Sequence, residues 1–194
     1  MRRKAKDERV TLIVGLGNPG ERYSGSRHNM GFRVVEALSR HWRSGRPDYL
    51  RWSMCAAAEY GGRKVLLVQP LTFMNRSGLA VEELFSRFSA EPENLIVIHD
   101  EMDLPPGVLR LKKGGGAAGH RGVQSIIDTL GTADFIRLRM GIGKAPPGEE
   151  GADYVLGRFA PEEEELMEAA VNRAVQALAT LLEEGLESAM NKFN

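Results

Sequence analysis

Residues 11–29 read TLIVGLGNPGERYSGSRHN, and the first half of that stretch decides the fold class. Thr11-Leu12-Ile13-Val14 is a short apolar, β-branched run that stops at glycine, which reads as a buried strand. Gly15, Gly17 and Gly20 follow at G-x-G-x-x-G spacing, and a polar loop then ends in Arg27-His28-Asn29. An α/β sheet builds its site at the carboxyl ends of its strands, and this loop leaves from such an end. It also carries His28, whose ordinary pKa suits proton transfer near neutral pH. If the protein is a catalyst, this loop is expected to floor its site.

The glycine spacing by itself allows a dinucleotide-binding oxidoreductase. That fingerprint needs a helix to open inside the glycine loop, so that its N-terminus meets the pyrophosphate. Here Pro19, Gly20, Tyr23, Ser24 and Gly25 keep the chain irregular. The apolar helical stripe begins only at Met30 and runs through Val34, Val35, Leu38 and Trp42. No second strand ends in an acidic residue about 20 residues on, where a ribose partner would sit. The context is wrong for a dinucleotide.

Working outward, 194 residues suit one domain with a substantial core, and residues 1–9 are expected to be a flexible tail. Hydrophobic residues at 42% and charged residues at 27% describe an ordinary globule. No apolar run approaches the roughly 18 residues of a membrane helix, and the basic start leads into too short an apolar stretch for a signal peptide. The single cysteine, Cys55, has no internal disulfide partner, which fits a reducing cytosol. It lies in the strand-like Met54–Ala58 and reads as a small core residue.

The net charge is zero, yet the charges are segregated. From Pro105 to Lys144, seven Lys or Arg face two acids; from Ala145 to Glu187, eleven acids face two Arg. A basic region in a neutral protein can serve as a phosphate footprint, or it can be one of two solvated faces.

Helical periodicity places helices over 30–42, from Ser77 as candidate cap through Phe88, over 123–130, and over 161–184. The last has Pro161 near its start and glutamates suited to the N-terminal dipole. Strands are expected at 53–60 and 64–69, joined by Gly61-Gly62 as a hairpin, and at 94–98, 108–111 and 135–142. Residues 112–122 read as a flexible basic loop and 144–151 as a linker. Strands alternating with helices give an α/β fold: a twisted mixed sheet, mostly parallel, with helices on both faces. Three strand exits then deliver Asn18 and His28, Asn75, and Asp100 into loops that can meet on one rim.

Five blocks occur in order: GLGNPG with its RHN-x-G, TFMNRSG, HDEMDLPPG, GGG-x-x-GH-x-G and FIRLRMGIG, with YVLGRF extending them. Together they resemble the bacterial peptidyl-tRNA hydrolase family. The resemblance implies a monomeric, cytoplasmic esterase that needs no cofactor or metal. Its expected partner is the acceptor end of peptidyl-tRNA, with the large ribosomal subunit left open as a second one. It assigns His28 as general base and Asp100 as the residue that orients it. Asn18 and Asn75 position peptide and water, Tyr23 and Phe73 contact the substrate, and Arg110, Lys112 and Arg139 bind tRNA phosphates. After His120 many members carry asparagine, and here Arg121 stands instead; it is expected to reach toward the terminal nucleotides.

The chemistry agrees with these residue types. An ester is activated enough that a base-activated water suffices, and an asparagine amide can donate to the developing oxyanion. His41 and His99 read as structural, and His120 as a residue that lines the site without being the base. The same scaffold also allows a non-catalytic RNA-binding protein of the kind that serves in splicing; the presence of all four of His28, Asp100, Asn18 and Asn75 argues for the enzyme.

Overall fold

A computed structural model describes residues 10–194; the expected tail at 1–9 lies outside the described residues. Seven strands form one sheet: β1 (Thr11–Gly15), β2 (Asp48–Tyr49), β3 (Ser53–Tyr60), β4 (Arg63–Pro70), β5 (Leu95–Glu101), β6 (Leu109–Lys113) and β7 (Ile136–Gly141). Their spatial order is β2-β3-β4-β1-β5-β7-β6. β1 lies in the middle, parallel to β4 and β5, and β5 is parallel to β7. The hairpin partner β3 and the outer strand β6 pair antiparallel with their neighbours, and β2 with β3. Five of the seven strands therefore run one way, as the sequence predicts. The central strands are apolar on both faces because helices cover both.

Six α-helices follow: α1 (Met30–His41), α2 (Ser77–Phe88), α3 (Arg121–Leu130), α4 (Gly151–Leu156), α5 (Pro161–Glu184) and α6 (Leu186–Phe193). Alternate residues of β1 sort the core into two clusters. Ile13 packs with Val34, Leu38, Val171 and Leu178 from α1 and α5. Leu12 and Val14 pack with Val81, Leu84, Val123 and Ile126 from α2 and α3. Cys55 is buried in the second cluster, as a small core residue would be.

Several expectations shift. β5 runs on through Glu101, so Asp100 lies inside a strand and not in the loop after it. Lys112 and Lys113 belong to β6, and Arg121 opens α3, so the glycine loop shrinks to 114–120. Ser77 is the first residue of α2, and its hydroxyl donates back to Met74 O at 2.8 Å. The linker runs into α4, and α6 and the two-residue β2 are too short for periodicity to reveal.

The glycine loop after β1 stays irregular, with a short 3₁₀ turn at Glu21–Tyr23 where a dinucleotide fold would open its helix. The need for glycine at the strand end is steric. A Cβ on Gly31 would stand 2.2 Å from Leu16 N and 2.5 Å from Ile98 O, and one on Gly15 would stand 2.2 Å from Gly31 O. The two glycines let the start of α1 touch the ends of β1 and β5, which brings His28 beside Asp100. Gly31→Ala is expected to cost about 1–3 kcal/mol of stability through overpacking, read as a lower urea midpoint at unchanged slope. A wild-type midpoint would show that the helix can back away freely.

Candidate active site

The carboxyl ends of β1, β4 and β5 open onto a cavity of about 520 Å³. Asn18, His28, Asn75 and Asp100 all line it, so the rim that the strand exits suggest exists. Tyr23 and Phe73 face one another edge-on across part of the wall, ring centroids 6.4 Å apart. Its far wall is α4, through Ala152, Val155 and Leu156.

Asp100 is buried at the end of a central strand, and two imidazoles meet it. His28 Nδ1 lies 2.8 and 2.9 Å from its two oxygens, and His120 Nε2 lies 3.0 Å from Oδ1. Burial alone would raise this carboxyl, but His120 and His28 outweigh it and hold Asp100 well below the usual carboxylate range. An ionised Asp100 only accepts, so His28 Nδ1 carries a hydrogen and Nε2 is left with its lone pair.

The tautomer of His120 follows from its other nitrogen. His120 is the N-cap of α3, and Nδ1 accepts from Gly122 N and Val123 N at 3.2 Å each. Nε2 must then carry the hydrogen that goes to Asp100. The sequence places His120 near the site but gives no hint of this double role, because the periodic stripe of α3 begins two residues late. The ligating atoms of His28, Asp100 and His120 lie within 4.8 Å of one another, close enough to surround a cation. Their distances are those of a hydrogen-bonded triad, and a cation there would displace the hydrogen on His120 Nε2.

The asparagines divide their work. Asn18 Oδ1 accepts from Met74 N at 2.8 Å, which fixes the amide orientation and leaves Nδ2 with no partner among the described residues. Asn29, which sequence reasoning passes over, holds Asn18 in place by two bonds: Asn18 N donates to Asn29 Oδ1, and Asn29 Nδ2 donates to Asn18 O. Asn75 is exposed on the cavity wall, and its amide also has no partner among the described residues. Both are available to donate to a carbonyl oxygen or a water.

Arg27 stands in the RHN block, but nothing in the sequence signals its partners. Its guanidinium lies 4.4 Å from the Tyr154 ring centroid, donates to Arg158 O at 2.5 Å and pairs with Glu163 at 3.0 Å. It pins the α4 wall beside His28. Arg33 pairs likewise with Glu164 at 3.0 Å, so part of the acidic segment is spoken for inside the molecule.

The basic candidates fall on one face of β6 and β7, where Arg110 pairs in register with Arg139 and Lys112 with Arg137. Arg110 is exposed and Lys112 half-buried; burial and the neighbouring arginines lower the Lys112 pKa. Arg139 leans on Glu101, with Nε and Nη2 both 3.0 Å from Oε2. Arg137 is only 2% exposed and donates to the carbonyls of Gly115 and Gly116, staking down the glycine loop. Arg121 is exposed at the first position of α3 and lines the cavity mouth. A cation there opposes the helix dipole by a few tenths of a kcal/mol.

A family model described as "Peptidyl-tRNA hydrolase" matches residues 12–194. The chain belongs to the peptidyl-tRNA hydrolase family. The peptidyl-tRNA hydrolase of Syntrophomonas wolfei is 44% identical over 185 residues, covering 95% of this chain and 100% of the relative. That of Chloroflexus aurantiacus is 46% identical over 185 residues, covering 94% and 98%. A crystal structure of peptidyl-tRNA hydrolase from Acinetobacter baumannii superposes with a TM-score of 0.89 at 37% identity, covering 98% of this chain and 97% of the other. The sheet and both helical layers are thus those of the peptidyl-tRNA hydrolase fold.

Beside the triad lies His99, buried, with Nδ1 2.7 Å from Asp100 O and Nε2 without a partner among the described residues. Burial, then the neighbouring His120, holds its pKa well below the usual imidazole range. The folded chain therefore keeps His99 neutral while the unfolded chain protonates it below about pH 6.5. Its stabilising contribution is complete above that pH and is lost as pH falls toward the folded pKa. His99→Gln should flatten the stability profile between about pH 6 and 5 by up to about 1.4 kcal/mol per pH unit relative to wild type. Parallel urea-derived profiles for the two proteins would refute a buried neutral His99.

Proposed function

We propose that the protein hydrolyses the ester joining a peptide to the terminal ribose of tRNA, with His28 as general base. The observation that carries this is the buried His28–Asp100 pair opening its free Nε2 onto a cavity lined by two unpartnered amides, within a chain of this family. Water held at His28 Nε2 loses a proton to it as its oxygen attacks the ester carbonyl. Asp100 holds the reactive tautomer and stabilises the imidazolium, as a triad carboxylate does. Asn75 Nδ2 donates to the oxyanion, and Asn18 Nδ2 donates to a carbonyl of the peptide. The imidazolium returns its proton to the departing ribose oxygen, so no covalent intermediate is required.

The tRNA lies against the β6–β7 face, through Arg110, Lys112 and Arg139, and Arg121 reaches its terminal nucleotides from the cavity mouth. The enzyme works as a cytoplasmic monomer, as the family resemblance implies, and its single cysteine, Cys55, is a buried free thiol. No helix among the described residues is long and apolar enough to cross a membrane. Contact with the large ribosomal subunit rests on the resemblance alone, and co-sedimentation tests it.

The decisive assay is release of the acetylated amino acid from acetyl-aminoacyl-tRNA. His28→Ala should lower turnover by at least about 10²-fold while tRNA affinity persists. Asp100→Asn should lower kcat by a similar factor or more with a modest change in KM. Retention of more than about a tenth of wild-type rate by His28→Ala would move the base elsewhere.

Neutralising Arg110, Lys112 or Arg139 singly should raise KM more than it lowers kcat and reduce the salt slope of tRNA binding by about one. Arg121→Asn should weaken binding by about 0.5–1.5 kcal/mol with kcat held within a few-fold. Unchanged salt slopes would remove the β6–β7 face from tRNA binding, and a hundred-fold fall in kcat for Arg121→Asn would place that arginine on the transition state.

A further inference from the structure

The described residues include five large apolar side chains that are strongly exposed; Phe73 and Leu71 lie in the loop that leaves β4, and Tyr49 lies on β2, beyond β3 in the sheet. Phe73 is 58% exposed, Leu71 39% and Tyr49 68%. Phe73 lines the cavity; Leu71 N donates to Trp52 O at 2.7 Å, so the exit of β4 is tied to the turn between β2 and β3. Glu83 on α2 fixes that turn from behind by accepting from Arg51 N and Trp52 N at 3.2 and 3.0 Å.

Two arginines complete the strip. The Arg51 guanidinium lies 4.7 Å from the Trp52 ring centroid, and that of Arg76 lies 6.0 Å from it. Both side chains are exposed, and among the described residues neither guanidinium has a hydrogen-bond or ion-pair partner. Arg76 directly follows Asn75, which lines the cavity, and its N–H donates to the carbonyl of the cavity-lining Phe73 at 2.8 Å, which ties the strip to the site. Exposed apolar side chains beside arginines that lack an ion-pair partner suit a binding surface for extended, acidic partners.

Sheet geometry says which part of the substrate reaches it. The cationic β6–β7 face and this strip lie on opposite sides of Asp100 in the strand order. A substrate with its RNA on the first side and its ester at His28 sends its peptide toward the second. The turn bearing Trp52 is three to four strand intervals from β5, or roughly 14–19 Å. An extended peptide rising about 3.3 Å per residue covers that in about four to six residues.

We propose that the strip from Phe73 to Arg51 is a second subsite, which binds the peptide of the substrate about four to six residues from the ester and favours acidic side chains there. The proposal rests on the peptidyl-tRNA esterase reading of the main site. Acetyl-aminoacyl-tRNA is too short to reach Arg51 and Arg76, so it reports the main site alone.

The test compares wild type with an Arg51→Gln, Arg76→Gln double variant on one tRNA bearing different acyl groups. These are an acetyl-amino acid and three N-blocked heptapeptides with Asp-Asp, Ser-Ser or Lys-Lys at the fifth and sixth residues from the ester. Wild type should show kcat/KM falling from Asp through Ser to Lys, with about a three- to tenfold spread carried by KM, the scale of one or two exposed ion contacts. The double variant should lose that spread and keep wild-type activity on the acetyl-amino acid. A flat series in wild type, or a spread that survives in the double variant, would overturn the subsite. An equal loss on all four substrates would also overturn it and assign the strip to RNA. Absence of hydrolysis of any substrate by wild type would instead defeat the esterase reading beneath it.

Discussion

A carboxylate buried at the end of a central strand needs partners, and Asp100 takes its two from opposite layers of the fold. His28 arrives from the loop that leads into α1, and His120 from the cap of α3. Leaving a buried polar group without a hydrogen-bond partner costs about 1–3 kcal/mol, and more when it is charged, so each layer is held in register by the same carboxylate oxygens. Gly15 and Gly31 allow the first approach, since a Cβ on either would stand 2.2 Å from backbone of the facing segment. Arg137 secures the second, since its hold on Gly115 and Gly116 fixes the loop that ends in His120. The geometry that places His28 beside Asp100 is thus a by-product of hydrogen-bonding one buried charge.

Much of this was legible because it is written locally. β1, the Gly61-Gly62 hairpin and α5 announce themselves through β-branched runs, paired glycines and a proline-led acidic start, and α5 falls on the residues expected. Asn18, His28 and Asn75 stand out as polar residues leaving apolar strands. What stayed hidden depends on contacts distant in sequence or on a single ring nitrogen. The Arg27–Glu163 pair joins residues 136 apart, and no local pattern signals it. The His120 cap becomes visible only once α3 is known to start at Arg121, a position polar enough to look like loop. Asp100 reads as lying outside β5 because three ionisable residues, His99, Asp100 and Glu101, follow the apolar run, whereas β7 on one side keeps pairing through Glu101.

The zero net charge conceals a division of labour. Acids at the start of α5 pair with Arg27 and Arg33, and so are spent on fixing the cavity wall and α1. On the β6–β7 face the corresponding compensation is thin: Glu101 serves Arg139, while Arg137 meets carbonyls and the Phe135 ring and Arg110 faces solvent. A local positive field therefore survives in a neutral molecule, and it is short-ranged, falling off over about 8–10 Å at physiological salt. A field of that reach can orient a phosphate at the edge strands without attracting RNA to the rest of the surface.

The parallel sheet adds direction to that field. Because β4, β1, β5 and β7 all end on one rim, residues separated by whole strands in sequence become neighbours in a line across that rim. Cations stand at the β6 end, the His28–Asp100 pair at β5, amides at β1 and after β4, and the apolar residues with two arginines beyond them toward β3. A peptidyl-tRNA has the same order along its own length: polyanion, ester, amide backbone, side chains. An RNA-binding protein would need only the first part of that line. On the proposed reading the remaining parts, and above all a buried carboxylate that costs stability if either imidazole fails it, have a use only if the ester itself is brought to His28 and cut.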